Sequence, residues 1–332
     1  MAGTLAGWAA ARLAGADRLR FAEAWTVPLL SLTPQAAAGA WISALLLPGA
    51  GPAAVTAAAA AALTAAAGPR AVPCRQPPAT GPVLRVLTAN LLAGRASAEA
   101  VTGLVRRTHA DVLFVQELTS RAADRLDRAG LGGLLPHRVT QPVPHGSGGS
   151  IYARYPLRGR PPAAPSPAVR CTARLELPSG QSVELACIHA APPKPPWSPG
   201  ATARWRCELA ALPAPGDGPC ILAGDFNATL DHAQFRQLLR RGWADAASQA
   251  GHGLSQTWGP RPSRRPALLA IDHVLADGRC AVLATAACRL TGTDHRALYA
   301  ELRLPALMPL SGSAGSSGTT RHAVTTGSRR RG

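Results

Sequence analysis

Val83-Leu84-Arg85-Val86-Leu87-Thr88-Ala89-Asn90 is an apolar, strand-like run ending on a carboxamide, and the residues that follow it decide the fold. Ser97 stands where an N-cap would open a helix over 97–109, with Val101, Leu104 and Val105 at helical spacing. Asp111 to Gln116 is then a second buried strand, so the unit reads β-α-β. Working outward, strands are expected at 150–153, 169–177, 182–188, 219–223, 268–275, 281–289 and 297–304, with helices at 119–128, 201–212 and 231–241. Many strands and few helices in mixed order predict packed sheets covered by helices.

The chain has 332 residues, 47% of them hydrophobic and 16% charged, which is too apolar for disorder and long enough for a substantial core. Its 35 basic and 18 acidic side chains give a net charge of +17. Lys194 is the only lysine, so the positive charge is almost all arginine. Two sources compete for that bias: a GC-rich coding sequence, which also fits the high alanine content, or selection for phosphate-reading groups. Either way the balance favours anionic partners: nucleic acid, phosphorylated small molecules or acidic lipid headgroups. Lys194 lies in a Pro-Pro-Lys-Pro-Pro run, which excludes a Walker A loop and a pocketed Schiff-base lysine. The seven cysteines are scattered without a Cys-x-x-Cys pair, excluding a zinc ribbon or redox motif.

No charged residue occurs from Ala24 to Pro69. A bilayer span needs roughly 20 apolar residues, so this run has room for a hydrophobic helical hairpin broken near Pro48-Gly49-Ala50-Gly51-Pro52. The alternative is a pair of helices packed on a soluble domain; membrane attachment is the reading adopted. A cleaved signal peptide fits less well, because the run is long and begins far from Met1. Arg12, Arg18 and Arg20 before the run and Arg70 and Arg75 after it differ too little to set an orientation. The organisation expected is an N-terminal segment at 1–23, a membrane-helix region at 24–69, a Pro-rich linker at 70–82, the main folded domain at 83–306 and a disordered basic tail at 307–332.

Polar residues recur directly after the strand-like runs: Asn90, Glu117, His189, Asp225 with Asn227, Asp272, and Asp294 with His295. Side chains at strand ends project from the rim of a sheet, where several strands converge them on one cleft. Taken singly, each is more often a turn former, helix cap or structural histidine. Their order along the chain carries more information. Thr88-Ala89-Asn90, Gln116-Glu117, Ile188-His189, Gly224-Asp225-Phe226-Asn227, Ile271-Asp272-His273-Val274 and Thr293-Asp294-His295, with Gly149 to Leu157 between, resemble the endonuclease/exonuclease/phosphatase (DNase I-like) family. The resemblance runs from about Leu84 to Leu304, and the N-terminal part is similar by hydrophobicity to membrane-attached bacterial members.

That resemblance implies a four-layer α/β sandwich, two mixed β-sheets flanked by helices, and a metal-dependent phosphoesterase. Phosphoester hydrolysis needs neutralised non-bridging oxygens, an activated water and help for the leaving oxygen. Mg²⁺ favours carboxylates with phosphate oxygens and waters, with Mn²⁺ as the substitute. Glu117 with Asn90 beside it is the expected metal site, and Asp294 completes it or holds a second ion. By resemblance, Asp225 orients or deprotonates the attacking water, Asn227 donates to phosphoryl oxygens, and His189 and His295 contact the phosphate. Asp272 would hold His295 in one tautomer and keep it protonated.

Arg264 and Arg265, near Trp258, read equally as a phosphate grip or a solvated basic loop; His273 is expected to face away from the cleft. His145, His232 and His252 are expected at the surface. Three functions remain: a nuclease-like phosphodiesterase, a phosphatase or sphingomyelinase-like enzyme acting on phospholipid headgroups, and a catalytically silent membrane scaffold. The partners expected are a phosphate-ester substrate and a membrane, with no protein partner implied. The resemblance places the catalytic domain on the extracytoplasmic side of the cell membrane.

Overall fold

The computed structural model describes residues 1–143, 148–162, 166–194, 198, 200–259 and 267–306. Four helices come first: α1 (Ala2–Ala14), α2 (Glu23–Leu30), α3 (Thr33–Leu46) and α4 (Ala50–Ala67). The charge-free run is therefore three helices, and only α3 and α4 form the hairpin. The break is set by Pro34, which lacks the N–H needed to continue α2 but suits the first turn of α3. Alanines on α1, α3 and α4 (Ala9, Ala37, Ala59) pack around Leu63, and Trp41 Nε1 donates to Thr64 Oγ1 at 3.0 Å. Residues 50–71 form one helix long and apolar enough to cross a membrane, with mean hydropathy 1.5; α2 and α3 qualify only as a pair bent by 70°.

Among the described residues twelve strands follow: β1 (Val83–Asn90), β2 (Val112–Leu118), β3 (His137–Gln141), β4 (Gly148–Ala153), β5 (Leu157–Gly159), β6 (Val169–Glu176), β7 (Ser182–His189), β8 (Cys220–Asp225), β9 (Trp243–Asp245), β10 (Asp272–Asp277), β11 (Ala281–Arg289) and β12 (Arg296–Arg303). They form two mixed six-stranded sheets, in the orders β11-β12-β1-β2-β4-β3 and β5-β6-β7-β8-β10-β9. The helices after α4 are α5 (Ala98–Thr108), α6 (Ser120–Arg128), α7 (Leu131–Leu134), α8 (Ala201–Ala210), α9 (Ala233–Leu239) and α10 (Ala246–Gln249).

Alternation along the strands sorts side chains into layers. Leu84, Val86, Val112 and Phe114 face Ala173, Leu185, Ile221 and Val274 across the sandwich. Their neighbours Leu87, Leu113 and Val115 meet Val101 and Leu104 of α5 and Leu126 of α6. On the opposite side, Ile188, Leu222 and Phe226 meet Trp205 of α8 and Phe235 of α9. The result is the four-layer α/β sandwich. Each sheet contains one parallel neighbour pair, β1 with β2 and β7 with β8, joined by α5 and α8 respectively. Ser97 caps α5 by accepting from the Ala100 N–H at 3.1 Å, as its position in the sequence implies.

The expected strand that differs most is 268–275: the ladder begins at Asp272, and Leu269 makes only an isolated bridge to Trp258. The Pro-rich linker lies extended along the sandwich. Pro73 bridges to Ala250, Cys74 N–H donates to Gln249 O, and Gln76 Oε1 accepts from Val282 N–H at 2.7 Å.

The N-terminal helices are tied to the second sheet's helical layer by charge. Asp231, buried just before α9, accepts from Arg12 Nε at 2.8 Å and from both terminal nitrogens of Arg70, at 2.8 and 2.6 Å. Those guanidiniums outweigh burial and hold its carboxyl below the usual range, although burial alone would raise it. Asp17 caps α9 by accepting from Ala233 N–H at 2.5 Å, Arg206 Nε donates to Glu23 at 2.8 Å, and Val27 of α2 sits in the α8–α9 core. Asp231→Ala should therefore strand two buried cations and lower stability by about 3–5 kcal/mol. Thermal unfolding of the full chain checks this; an unchanged midpoint would mean the pairing contributes nothing.

Candidate active site

All eight residues singled out from the sequence lie on one rim of the sandwich. β1 and β2, and β7 and β8, bring their C-terminal ends to it, while β10 and β12 begin there. His189 is level with Asp225 in the β7–β8 ladder, and Asp272 is level with Asp225 in the β8–β10 ladder. Register alone thus sets an imidazole and two carboxylates side by side. Glu117 reaches the rim through a bulge: it has φ 55°, and the β2–β4 register shifts between Gln116 and Leu118. Gly224 permits the tightest approach, since a Cβ there would lie 1.9 Å from Ile188 O at φ 148°.

Asn90 sits at the centre. Its Nδ2 donates to Glu117 Oε1 at 3.1 Å and to Asp225 Oδ2 at 3.0 Å, while its Oδ1 accepts from Leu92 N–H. Asp225 Oδ1 accepts from Asn227 N–H at 2.8 Å. Asn227 has φ 47°, and its side-chain amide donates to Ala190 O at 2.9 Å. His295 Nδ1 is 2.9 Å from Asp272 Oδ2, and its Nε2 lies 3.8 Å from Asp225 Oδ2 and 3.9 Å from Asp294 Oδ1. Asp294 Oδ2 accepts from Trp258 Nε1 at 3.1 Å. His189 Nε2 is 3.7 Å from Glu117 Oε1 and 4.0 Å from Asp225 Oδ2.

The two imidazoles differ in charge. Burial alone would lower the His295 pKa, but the Asp272 charge and hydrogen bond, with the charges of Asp225 and Asp294, push it up to about 10. His189 is driven the other way, to about 4, by burial first and then by the charges of Arg170 and His295. Burial and the neighbouring Asp272 charge raise Asp225 to about 7, against the pull of His295. The rim therefore holds one cationic imidazole, one neutral imidazole and a carboxylate that titrates near neutrality.

Asp225, Asp272 and His295 offer ligand atoms within 4.8 Å of one another, so this buried trio is the tightest potential metal cluster among the described residues. Asp272 is nevertheless committed to the His295 ring. The carboxylates more open to a cation are Glu117 and Asp294, whose side chains are 21% and 17% exposed, against 3% for Asp225 and 2% for Asp272. Asp294 Oδ1 and Asp272 Oδ1 are buried with no hydrogen-bond partner. Hard oxygen donors left unpaired beside concentrated negative charge fit a divalent cation.

Several residues gain a role that the linear pattern did not disclose. Arg170 on β6 donates from Nη2 to His189 O at 2.7 Å and leaves its buried Nε unpartnered. Gly149 lies flat against it, for a Cβ there would meet Arg170 Cβ at 2.4 Å. Thr257 Oγ1 accepts from the N–H groups of Ile271 and Asp272, and Thr293 Oγ1 donates to Asn90 O, which together pin the rim. His273 faces away, held between Asp245 Oδ2 and Ala228 O. His252 is exposed, as expected. His232 is not a surface residue: it is buried against Trp205, its Nδ1 accepts from Thr229 N–H, and its Nε2 lies 2.9 Å from Val27 O. The N-terminal arm covers it. His145, Arg264, Arg265 and the tail after 306 lie outside the described residues.

Fold and rim together define a metal-dependent phosphoric ester hydrolase. The chain belongs to the Endonuclease/Exonuclease/phosphatase family, whose model matches residues 87–295. Among solved structures it is similar to an endonuclease/exonuclease/phosphatase from Beutenbergia cavernae DSM 12333 (17% identity, 67% of this chain and 72% of that one, TM-score 0.49). It is also similar to humanized D. rerio TDP2 carrying 14 mutations (18% identity, 66% and 98%, TM-score 0.52) and to D. rerio TDP2 complexed with single strand DNA product (17% identity, 66% and 98%, TM-score 0.51). At these identities the likeness is one of fold. No curated protein matches the chain.

Proposed function

We propose that the chain is a membrane-attached, Mg²⁺-dependent phosphoesterase that hydrolyses phosphodiester bonds. The observation that carries this reading is the pairing of a base-competent carboxylate, Asp225, with a protonated imidazole, His295, only 3.8 Å apart on a rim of open carboxylates. Asp225, raised toward neutrality, takes the proton of the attacking water. Its backbone partner Asn227 and its amide partner Asn90 keep the carboxylate in one orientation. His295, kept charged by Asp272, stabilises the negative charge that builds on the phosphoryl oxygens. His189 is neutral and offers a hydrogen bond without competing for the base proton. Asn227 has one side-chain N–H on Ala190 O and its second available to substrate. Glu117, with Asn90 beside it, and Asp294 would hold the Mg²⁺, or Mn²⁺ in its place, whose charge neutralises the non-bridging oxygens.

Membrane attachment is assigned to the α3–α4 hairpin. Ile42, Leu45 and Leu46 towards its tip are exposed, as is Trp41 on the same helix, with Trp25 and Leu29 exposed on α2, and this run of exposed apolar side chains suits a bilayer. The α2–α3 junction leading into the hairpin shares a cavity with Asn227 and Trp258 of the rim, which favours a second reading, a phosphoinositide phosphatase or sphingomyelinase-like enzyme. In this reading, which follows the family resemblance, the catalytic domain lies outside the cell membrane; protease cleavage of the domain on intact cells is the expected result.

A panel of single- and double-stranded DNA, RNA, a generic phosphodiester, inositol phosphates and sphingomyelin, each with Mg²⁺ and with chelator, tests the function. Turnover of at least one with Mg²⁺ and none with chelator is expected; metal-dependent binding without turnover would favour the scaffold. The pH profile follows from the rim. Asp225 must lose its proton, so kcat/KM should rise with pH through about 7, and His295 must keep its own, so the rate should fall above about 10. A profile flat from pH 5 to 9 would contradict these roles.

A further inference from the structure

A cavity of about 320 Å³ opens where the α2–α3 junction faces the sandwich. Val27, Pro28 and Leu32 form one wall; Pro192, Leu268 and Ile271 form the other. None of its described lining residues is an acid, a lysine or an arginine, in a chain of net charge +17. Its size is that of a small-molecule site. Two residues join it to the catalytic rim. Asn227, whose N–H caps Asp225, lines it, and so does Trp258, whose indole N–H donates to Asp294. An apolar chamber and a charged rim therefore share a border, and the chamber's other wall is the helix leading into the exposed apolar hairpin.

We infer that this cavity binds the hydrocarbon portion of an amphiphilic phosphoester whose scissile phosphate lies on the rim. The inference rests on the phosphoesterase reading and names its substrate class. The occupant follows from the border: a molecule contacting both Asn227 and Leu268 must be anionic at one end and apolar at the other. Among its polar lining side chains, Ser31 donates to Pro28 O, His232 is held by Thr229 N–H and Val27 O, and the Trp258 indole N–H is held by Asp294, so a nucleotide base, with its ring donors and acceptors, would find few free partners there. The N-terminal helices thus supply half of the substrate site in addition to an attachment.

The test compares methyl and hexyl p-nitrophenyl phosphate, two diesters with the same scissile bond, on the full chain held in amphipol with Mg²⁺. Full burial of each added methylene is worth roughly fourfold in binding. Partial burial of the five added groups should raise kcat/KM of the hexyl ester at least ~30-fold over the methyl ester. Leu32→Trp, which fills the chamber from the N-terminal side, should cut that ratio at least ~10-fold. Leu268→Trp should do the same from the opposite wall, so misfolding of one variant leaves the other informative. Hydrolysis of both esters at similar kcat/KM, or a ratio unchanged in both variants, would overturn the inference while leaving the hydrolase intact. Absence of turnover of either ester would instead refute the phosphoesterase reading, and this inference with it.

Discussion

His295→Ala should lower kcat by at least ~10²-fold. The ring is the rim's one strongly cationic imidazole and stands within 4 Å of Asp225 and Asp294. Its removal also leaves Asp272 buried without the partner that its Oδ2 now holds at 2.9 Å. A secondary expectation separates catalysis from packing. His295→Gln, which keeps a hydrogen-bond donor but carries no charge, should unfold at nearly the wild-type temperature yet remain slow. A purified His295→Ala protein of near-normal turnover would refute the assignment.

Glu117→Gln should have an effect of similar size, but of a different kind. Glu117 is the most open carboxylate of the rim, its Oε2 accepts from Ala93 N–H at 2.6 Å, and its strand is bulged at that residue to present it. A carboxamide preserves the shape and removes the charge. Calorimetric titration with Mg²⁺ should show affinity weakened by ~10–100-fold or more, and kcat/KM at fixed Mg²⁺ should fall at least as far. Excess Mg²⁺ should recover part of the activity of Glu117→Gln and none of that of His295→Ala. Equal Mg²⁺ affinity in wild type and Glu117→Gln would move the metal site elsewhere on the rim.

What could be read from the sequence and what could not divides by the range of the physics involved. β1, α5 and β2 are legible because Leu84 to Asn90 and Val101 to Val105 carry their own periodicity. Three strands were missed: His137–Gln141, Leu157–Gly159 and Trp243–Asp245, each short and each at or next to a sheet edge, where little apolar patterning is needed. The helical hairpin begins at Thr33, nine residues after the expected start at Ala24, because apolar content does not show that Val27 belongs to the sandwich core rather than to a span.

The site residues are legible as strand ends in a particular order, since strand ends are where a sheet exposes side chains. Their pairings are not legible. Asp272 meets His295 across 23 positions and Asn90 meets Asp225 across 135, and both pairs bridge the two sheets, so they depend on how the sheets pack on each other. Arg170 carries no signal in the sequence, and only the close approach of Gly149 and the β6–β7 ladder make it a support for His189. His232 looked exposed because the segment that buries it lies more than 200 positions away. The same long-range docking, Arg12 and Arg70 on Asp231, brings the apolar helices against the rim and creates the chamber between them.

The most direct test is release of p-nitrophenolate from bis(p-nitrophenyl) phosphate by the full chain and by Asp225→Asn, each with Mg²⁺ and with EDTA. The expected result is release only with Mg²⁺, with Asp225→Asn slower than the wild type by at least ~10²-fold. Release that persists in EDTA, or an Asp225→Asn protein as fast as the wild type, would contradict a water activated by that carboxylate beside a divalent cation.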